Sequence, residues 1–185
     1  NLVYTFNYDQ TITVSSSEYL RDGISQAQDA GAQCVILMLD TFGGDLDSTK
    51  KMVEYMDTST VPVVVYVKPG GVAWSAGAFI LMGSHIAAMA PGTVVGSSQP
   101  VSYSPLGGST PITEDKVINA RATYIAEKAS SHGRNNTIAR EFVTQNLNLP
   151  AEDAKASNVI EIVATDLSDL VQQLNGMNVT TYGGN

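Results

Sequence analysis

An α/β fold with a mostly parallel sheet covered by helices is predicted by three features of this 185-residue sequence. Two continuous apolar runs, QCVILMLD and PVVVYV, have the length and β-branched content of strands buried on both faces. Each run ends in a glycine turn, TFGGD or KPGGVAW. After each turn the apolar residues fall into helical spacing, and a strand-turn-helix unit repeated in this way calls for parallel strands with crossover helices.

The elements follow in order. LVYTFNYDQTITV opens as a strand, and SSSEYLRDGISQAQDAG reads as a helix in which Ser17 caps the start and Leu20, Ile24 and Ala27 share a face before Gly31 stops it. The strand over 33–40 and its TFGGD turn lead to a helix with Leu46, Val53 and Met56 on one side. The strand over 62–67 leads through GGVAW to an apolar helix over about 75–82. A strand, IAAMA, precedes a stretch over about 97–113 dense in Gly, Pro and Ser, which is expected to be a mobile loop walling a groove. Two helices are read over about 113–131 and 136–147, then a short helix after Pro150, a strand NVIEIVA and a last helix DLSDLVQQL.

Composition narrows the function. With 10 Lys+Arg against 18 Asp+Glu the net charge is −8, and no basic run offers a footprint for nucleic acid. Cys34 is the sole cysteine and sits in an apolar run, so it reads as a buried strand residue; no disulfide within the chain, CxxC or metal site is expected. No apolar run approaches the ~18 residues needed to cross a bilayer. The length fits one domain, taken as 1–185.

Both glycine turns should open at the carboxyl end of the sheet, where folds of this class place their ligands. The second turn delivers Ser75 to a helix N-terminus among small residues, with the N–H of Ala76 beside it to bind a developing oxyanion. Gly44 in the first turn is the second donor expected, since glycine lets the backbone approach closely. The competing reading is an ordinary tight turn and N-cap. A serine nucleophile needs a base. His85 stands at the far end of the same helix and His132 ends another, so both read as surface or packing residues. Lys116 falls at the start of a helix, where the helix dipole disfavours a cation; taken alone, it reads more readily as a solvated surface lysine beside Asp115. A lysine base must lose its charge through burial or positive potential, so a buried or electropositive setting is expected there.

The stretches LDTFGGDLDSTKKMVEYM, PVVVYVKPGGVAWSAGAFILMGSHIAAMAPGTVVGSSQPV, EDKVINARATYIAEKASSHGRN and LPAEDAKASNVIEIVATDLSDL resemble the NfeD-type membrane-bound serine proteases, the stomatin operon partner proteins of the ClpP/SppA/crotonase-like superfamily. The 41-residue step from Ser75 to Lys116 is similar to that family's dyad spacing. The resemblance implies a ClpP/crotonase-like fold of repeated β-β-α units and a Ser-Lys endopeptidase needing no cofactor. Ser75 would be the nucleophile, Lys116 the base, and Gly44 and Ala76 the oxyanion donors. It also implies cleavage of hydrophobic, membrane-proximal peptide segments such as those of stomatin-like proteins, a homodimer or higher homo-oligomer, and tethering by membrane segments beyond this chain, with the domain extracytoplasmic. Two positions depart from the family pattern: Phe42 replaces the proline of T-P-G-G, and bulky Trp74 precedes the serine. Pro100 stands where ClpP-type enzymes carry a histidine.

A substrate is expected to add as an extended strand along Gly70, Gly71 and Val72, with apolar pockets from Val72, Trp74, Phe79 and Val101. Two rivals remain at this level: a crotonase-type acyl-CoA enzyme, which would leave Ser75 and Lys116 unexplained, and a non-catalytic membrane-associated interaction module.

Overall fold

The computed structural model describes residues 1–184. A five-stranded sheet has the order β1 (Val3–Tyr8), β2 (Cys34–Leu39), β3 (Val63–Val67), β5 (Ile86–Met89), β10 (Ile162–Val163), with every pair parallel. A smaller sheet joins β4 (Val72–Trp74) in parallel to β6 (Val94–Gly96), and β6 in antiparallel to β9 (Asn148–Pro150). The helices are α1 (Val14–Asp29), α2 (Leu46–Asp57), α3 (Ala76–Gly83), α4 (Asp115–Ser131), α5 (Asn136–Thr144), α6 (Ala151–Ala156) and α7 (Leu167–Leu174).

The two-residue period of a strand sorts the apolar runs onto two faces. Val35, Leu37, Leu39, Val63, Val65 and Val67 join the core under α1, α2 and α3. Ile36, Val64, Tyr66, Ile86 and Ala88 point the other way, towards Leu170 of α7. Both faces are therefore buried, which is why these runs carry no polar alternation.

Several boundaries differ from the sequence reading. The first helix begins at Val14, with Thr13 as N-cap and its N–H donating to Ser16 Oγ at 2.7 Å; Ser17 lies buried inside the helix. Only Ile162 and Val163 of NVIEIVA pair as a strand, and Cys34, read as buried, is partly exposed because it is the first residue of β2. The Gly/Pro/Ser-rich stretch is not featureless: β7 (Val101–Tyr103) and β8 (Ser109–Pro111) form an antiparallel hairpin. Its tip is exposed, with Leu106 99% accessible, so its few side chains bury little.

One buried ion pair ties the end of α3 to the rest. Arg134 is 5% exposed; its guanidinium meets Glu161 at 2.5 Å and donates to the carbonyl oxygens of Met82 and Ser84, each at 2.9 Å. Arg134→Met strands a carboxylate and two carbonyls, so a loss of about 3–5 kcal/mol in urea unfolding is expected. His85 and His132 pack edge to face at 5.8 Å, and His85 Nδ1 accepts the Val63 N–H at 3.0 Å. Both are packing residues rather than a base for Ser75.

Burial lowers the pKa of His132 to about 4, helped by Arg134, and its Nε2 is buried without a partner among the described residues. The unfolded chain therefore takes up a proton that the folded one refuses. The His132 contribution to stability is intact above the ordinary histidine pKa of about 6.5 and is lost as pH falls from there towards about 4. His132→Gln should flatten the fall in melting temperature across that window.

Candidate active site

The two glycine turns meet in one crevice because Thr41 stitches them together. Thr41 follows β2, and its N–H donates to Val72 O at 2.9 Å while its C=O accepts the Trp74 N–H at 3.1 Å, pairing it with Ala73 of β4. The loop after β1 holds the first turn from the other side: Ile12 N–H donates to Gly43 O, and Asp45 N–H to Ile12 O, both at 2.9 Å. Gly44 sits in that grip with φ +154, and a Cβ there would lie 2.2 Å from Ile12 O. Only glycine fits. Asp45 then caps α2, its carboxylate accepting from Ser48 N at 2.8 Å and Ser48 Oγ at 2.6 Å; those bonds lower its pKa.

Ser75 has φ 52 and ψ −114, an uncommon conformation for a residue with a side chain and one found where a tight strand-to-helix turn exposes a nucleophile. Its backbone is held by three bonds. Ser75 N–H donates to Gly96 O at 3.0 Å, and Ser75 O accepts from Ala78 N at 3.0 Å and from Ser98 Oγ at 3.2 Å. Its hydroxyl does not cap α3. The ordinary N-cap reading therefore fails, and Oγ is left available.

A Cβ built on Gly43 would lie 2.7 Å from Ser75 Cβ, 3.1 Å from its Oγ and 3.6 Å from Ala76 N. The first turn thus runs directly against the serine, and Gly43 keeps the space above Oγ open, a role the sequence reading did not assign. Among the described residues, neither the Gly44 N–H nor the Ala76 N–H donates to a protein acceptor. Unpaired donors on the two turns that meet at a serine hydroxyl are the kind of groups an oxyanion hole requires.

Lys116 is the second residue of α4, exposed and without an ion pair among the described residues. It is not hydrogen-bonded to Ser75, and of the two settings expected for it burial is absent, while Lys50 and Arg121 share its cavity wall. It does face the same side of the molecule: Lys116 lines a cavity of about 270 Å³ together with Phe79, one helical turn beyond Ser75. The polypeptide entering α4 comes straight from the exposed β7–β8 hairpin.

The remaining positions divide. Phe79 stacks on Tyr124 of α4 at 5.9 Å, while Trp74 packs against the exposed Phe42 ring at 5.4 Å, so the two departures from the family pattern form one aromatic pair beside Ser75. Val101 lies on the hairpin. Strand addition along 70–72 is largely precluded: Gly71 N–H donates to Lys68 O at 2.9 Å, Val72 N–H to Asp40 Oδ1 at 3.0 Å, and Val72 O is taken by Thr41. Of the three, Gly70 keeps the most open main chain, with φ +78 and no atom within 4 Å of a built Cβ.

Residues 2–176 match the family model described as NfeD1b, N-terminal domain. The chain belongs to this family. Over 178 residues, 96% of its length, the NfeD1b-type domain is 39% identical to the membrane-bound protease PH1510 of Pyrococcus horikoshii, of which it spans 40%. It superposes on a serine-to-alanine mutant of the 1510-N membrane-bound stomatin-specific protease with TM-score 0.92 and 38% identity, covering 97% of this chain and 87% of that one. A lysine-to-alanine mutant of 1510-N in complex with a substrate peptide gives TM-score 0.95 and 37% identity, covering 100% of this chain and 85% of that one. Among the described residues of the NfeD1b-type domain, no helix is long and apolar enough to cross a membrane.

Proposed function

We propose that this domain, 1–185, is a serine endopeptidase with a Ser75-Lys116 dyad. The observation that carries the reading is Ser75 itself: a strained turn presents an uncapped hydroxyl against Gly43, and the next residue along each of the two turns, Gly44 and Ala76, has an N–H without a protein acceptor among the described residues. In the reaction Ser75 Oγ attacks the peptide carbonyl carbon as its proton passes to the unprotonated Lys116 amine. The carbonyl oxygen becomes an oxyanion held by the two N–H groups. Collapse of that intermediate breaks the C–N bond, Lys116 returns the proton to the leaving amine, and water then cleaves the acyl-enzyme with Lys116 as base again.

The relatives support the assignment. The serine and lysine altered in the two 1510-N structures are separated by 41 positions, the same step as Ser75 to Lys116 here. By the same likeness the substrate is a peptide or protein, with stomatin-like membrane proteins as its source, Trp74 and Phe79 contacting apolar side chains near the cut bond, and Gly70 and Val101 bordering the groove. The domain acts as a homodimer or higher homo-oligomer, tethered at the extracytoplasmic face by segments beyond this chain.

Mass-spectrometric mapping of cuts in a mixed peptide library tests this reading. Cuts within apolar segments are expected; an uncut library, or charged residues favoured on both sides of the cut bond, would contradict it.

A further inference from the structure

We propose that the cavity between α2, α3 and α4 is an acid-selective subsite, taking one Glu or Asp side chain of the peptide, with Lys50 and Arg121 as its counter-charges. This deepens the peptidase reading and rests on it for the identity of the ligand as a peptide.

The charge distribution is the first observation. The chain has 10 Lys+Arg in all and a net charge of −8, yet Lys50, Lys116 and Arg121 line this one cavity and no acidic residue does. Of the seven cations elsewhere, Arg21, Lys68, Lys128 and Arg134 are each paired with a carboxylate, while Lys51, Arg140 and Lys155 stand apart from one another without an ion pair among the described residues. What sets this pocket apart is the grouping: Lys50 and Arg121, with no ion pair among the described residues, share one wall with Lys116, and the two standing charges concentrate anions there.

The second observation is how these charges are held. Lys50 Nζ lies 5.5 Å from the centre of the Tyr124 ring, so a cation–π contact keeps the ammonium at the wall. Arg121 is half-buried, and burial pushes its guanidinium pKa down. A poorly solvated cation without a partner is relieved by an anion that brings its own hydrogen-bond acceptors. Guanidinium and ammonium together suit a carboxylate.

Size and position identify what brings it. About 270 Å³ is below the roughly 300–1,000 Å³ of sites for free small molecules and leaves room for one or two side chains. Leu46, Phe79 and Tyr124 give the cavity an apolar lining for a methylene stem. Phe79 is four residues past Ser75 in α3, about 6 Å along the axis. An extended peptide advances about 3.3 Å per residue, so the acidic side chain falls within about two residues of the cut bond.

Calorimetric titration of the Ser75→Ala domain tests the subsite independently of catalysis. The probes are apolar decapeptides, acetylated and amidated so that a single Glu, moved along the sequence, is their sole carboxylate; Gln peptides are the controls. At one position Glu should bind about five- to tenfold more tightly than Gln, a modest ratio because Lys50 is exposed. A Lys50→Gln, Arg121→Gln double variant with unchanged circular dichroism should bring the ratio to about one, and Lys50→Arg, Arg121→Lys should retain most of it. Equal binding of Glu and Gln at every position, or a preference that survives the double charge removal, overturns the subsite. So does decanoate binding that depends on Lys50 and Arg121 where no Glu peptide does. Wild-type cleavage of the same peptides separates the two readings: Glu-selective binding without cleavage keeps the subsite and removes the peptidase, and cleavage without Glu selectivity does the reverse.

Discussion

Replacing Ser75 by alanine is expected to lower peptide cleavage by about 10⁴-fold or more while leaving the melting temperature within a few degrees of wild type. The separation of the two effects follows from how the residue is held. Its backbone groups bond to Gly96, Ala78 and Ser98, and alanine keeps all three bonds; its hydroxyl caps nothing and is lost without a stranded partner. Alanine also accepts the φ of 52 no worse than serine does. A variant that unfolded would point instead to a structural hydroxyl. Cleavage of apolar peptides and thermal unfolding, measured on the same samples, distinguish the outcomes.

Lys116→Ala is expected to cost about 10³- to 10⁴-fold in kcat with little change in KM for peptides lacking acidic residues, because the proton on Ser75 Oγ then has no acceptor. Lys116→Arg should be equally inactive: a guanidinium keeps its charge at any working pH and cannot take a proton. Arginine would, however, preserve the positive charge in the cavity wall. If Lys116 served only as a surface cation, the arginine variant would be fully active. Stability should hardly change in either case, since Lys116 is exposed and has no ion pair among the described residues.

The central strands were legible because burial on both faces leaves a sequence mark, an uninterrupted β-branched run such as PVVVYV. The two glycine turns were legible for a similar reason. The positions of Gly43 and Gly44 admit no side chain, since a Cβ at either would meet Ser75 or Ile12. What escaped depends on contacts between segments far apart in sequence. The Thr41–Ala73 bridge, which brings the turns together and occupies the main chain of Val72, has no local signature. Arg134 reads as one more polar residue after a helix until Glu161 and two carbonyls of the α3 end surround it. The hairpin at 101–111 was hidden because its turn residues also suit an open loop.

Phe42 and Trp74 illustrate the same limit. Each stood out alone as a departure from the family pattern, but only the fold puts their rings 5.4 Å apart, next to the nucleophile. Likewise Lys50 and Arg121 lie on different helices, and the charge cluster they form with Lys116 is invisible to any window along the chain.

The most direct measurement is covalent trapping. A peptidyl chloromethyl ketone or fluorophosphonate, incubated with the folded domain and followed by peptide mass mapping, should add one label, on Ser75 Oγ. Labelling should be abolished in Ser75→Ala and slowed by about 10³-fold in Lys116→Ala, where the oxyanion donors remain but the base is gone. A label on a different residue, or equal labelling of wild type and Lys116→Ala, would contradict a Ser75-Lys116 dyad.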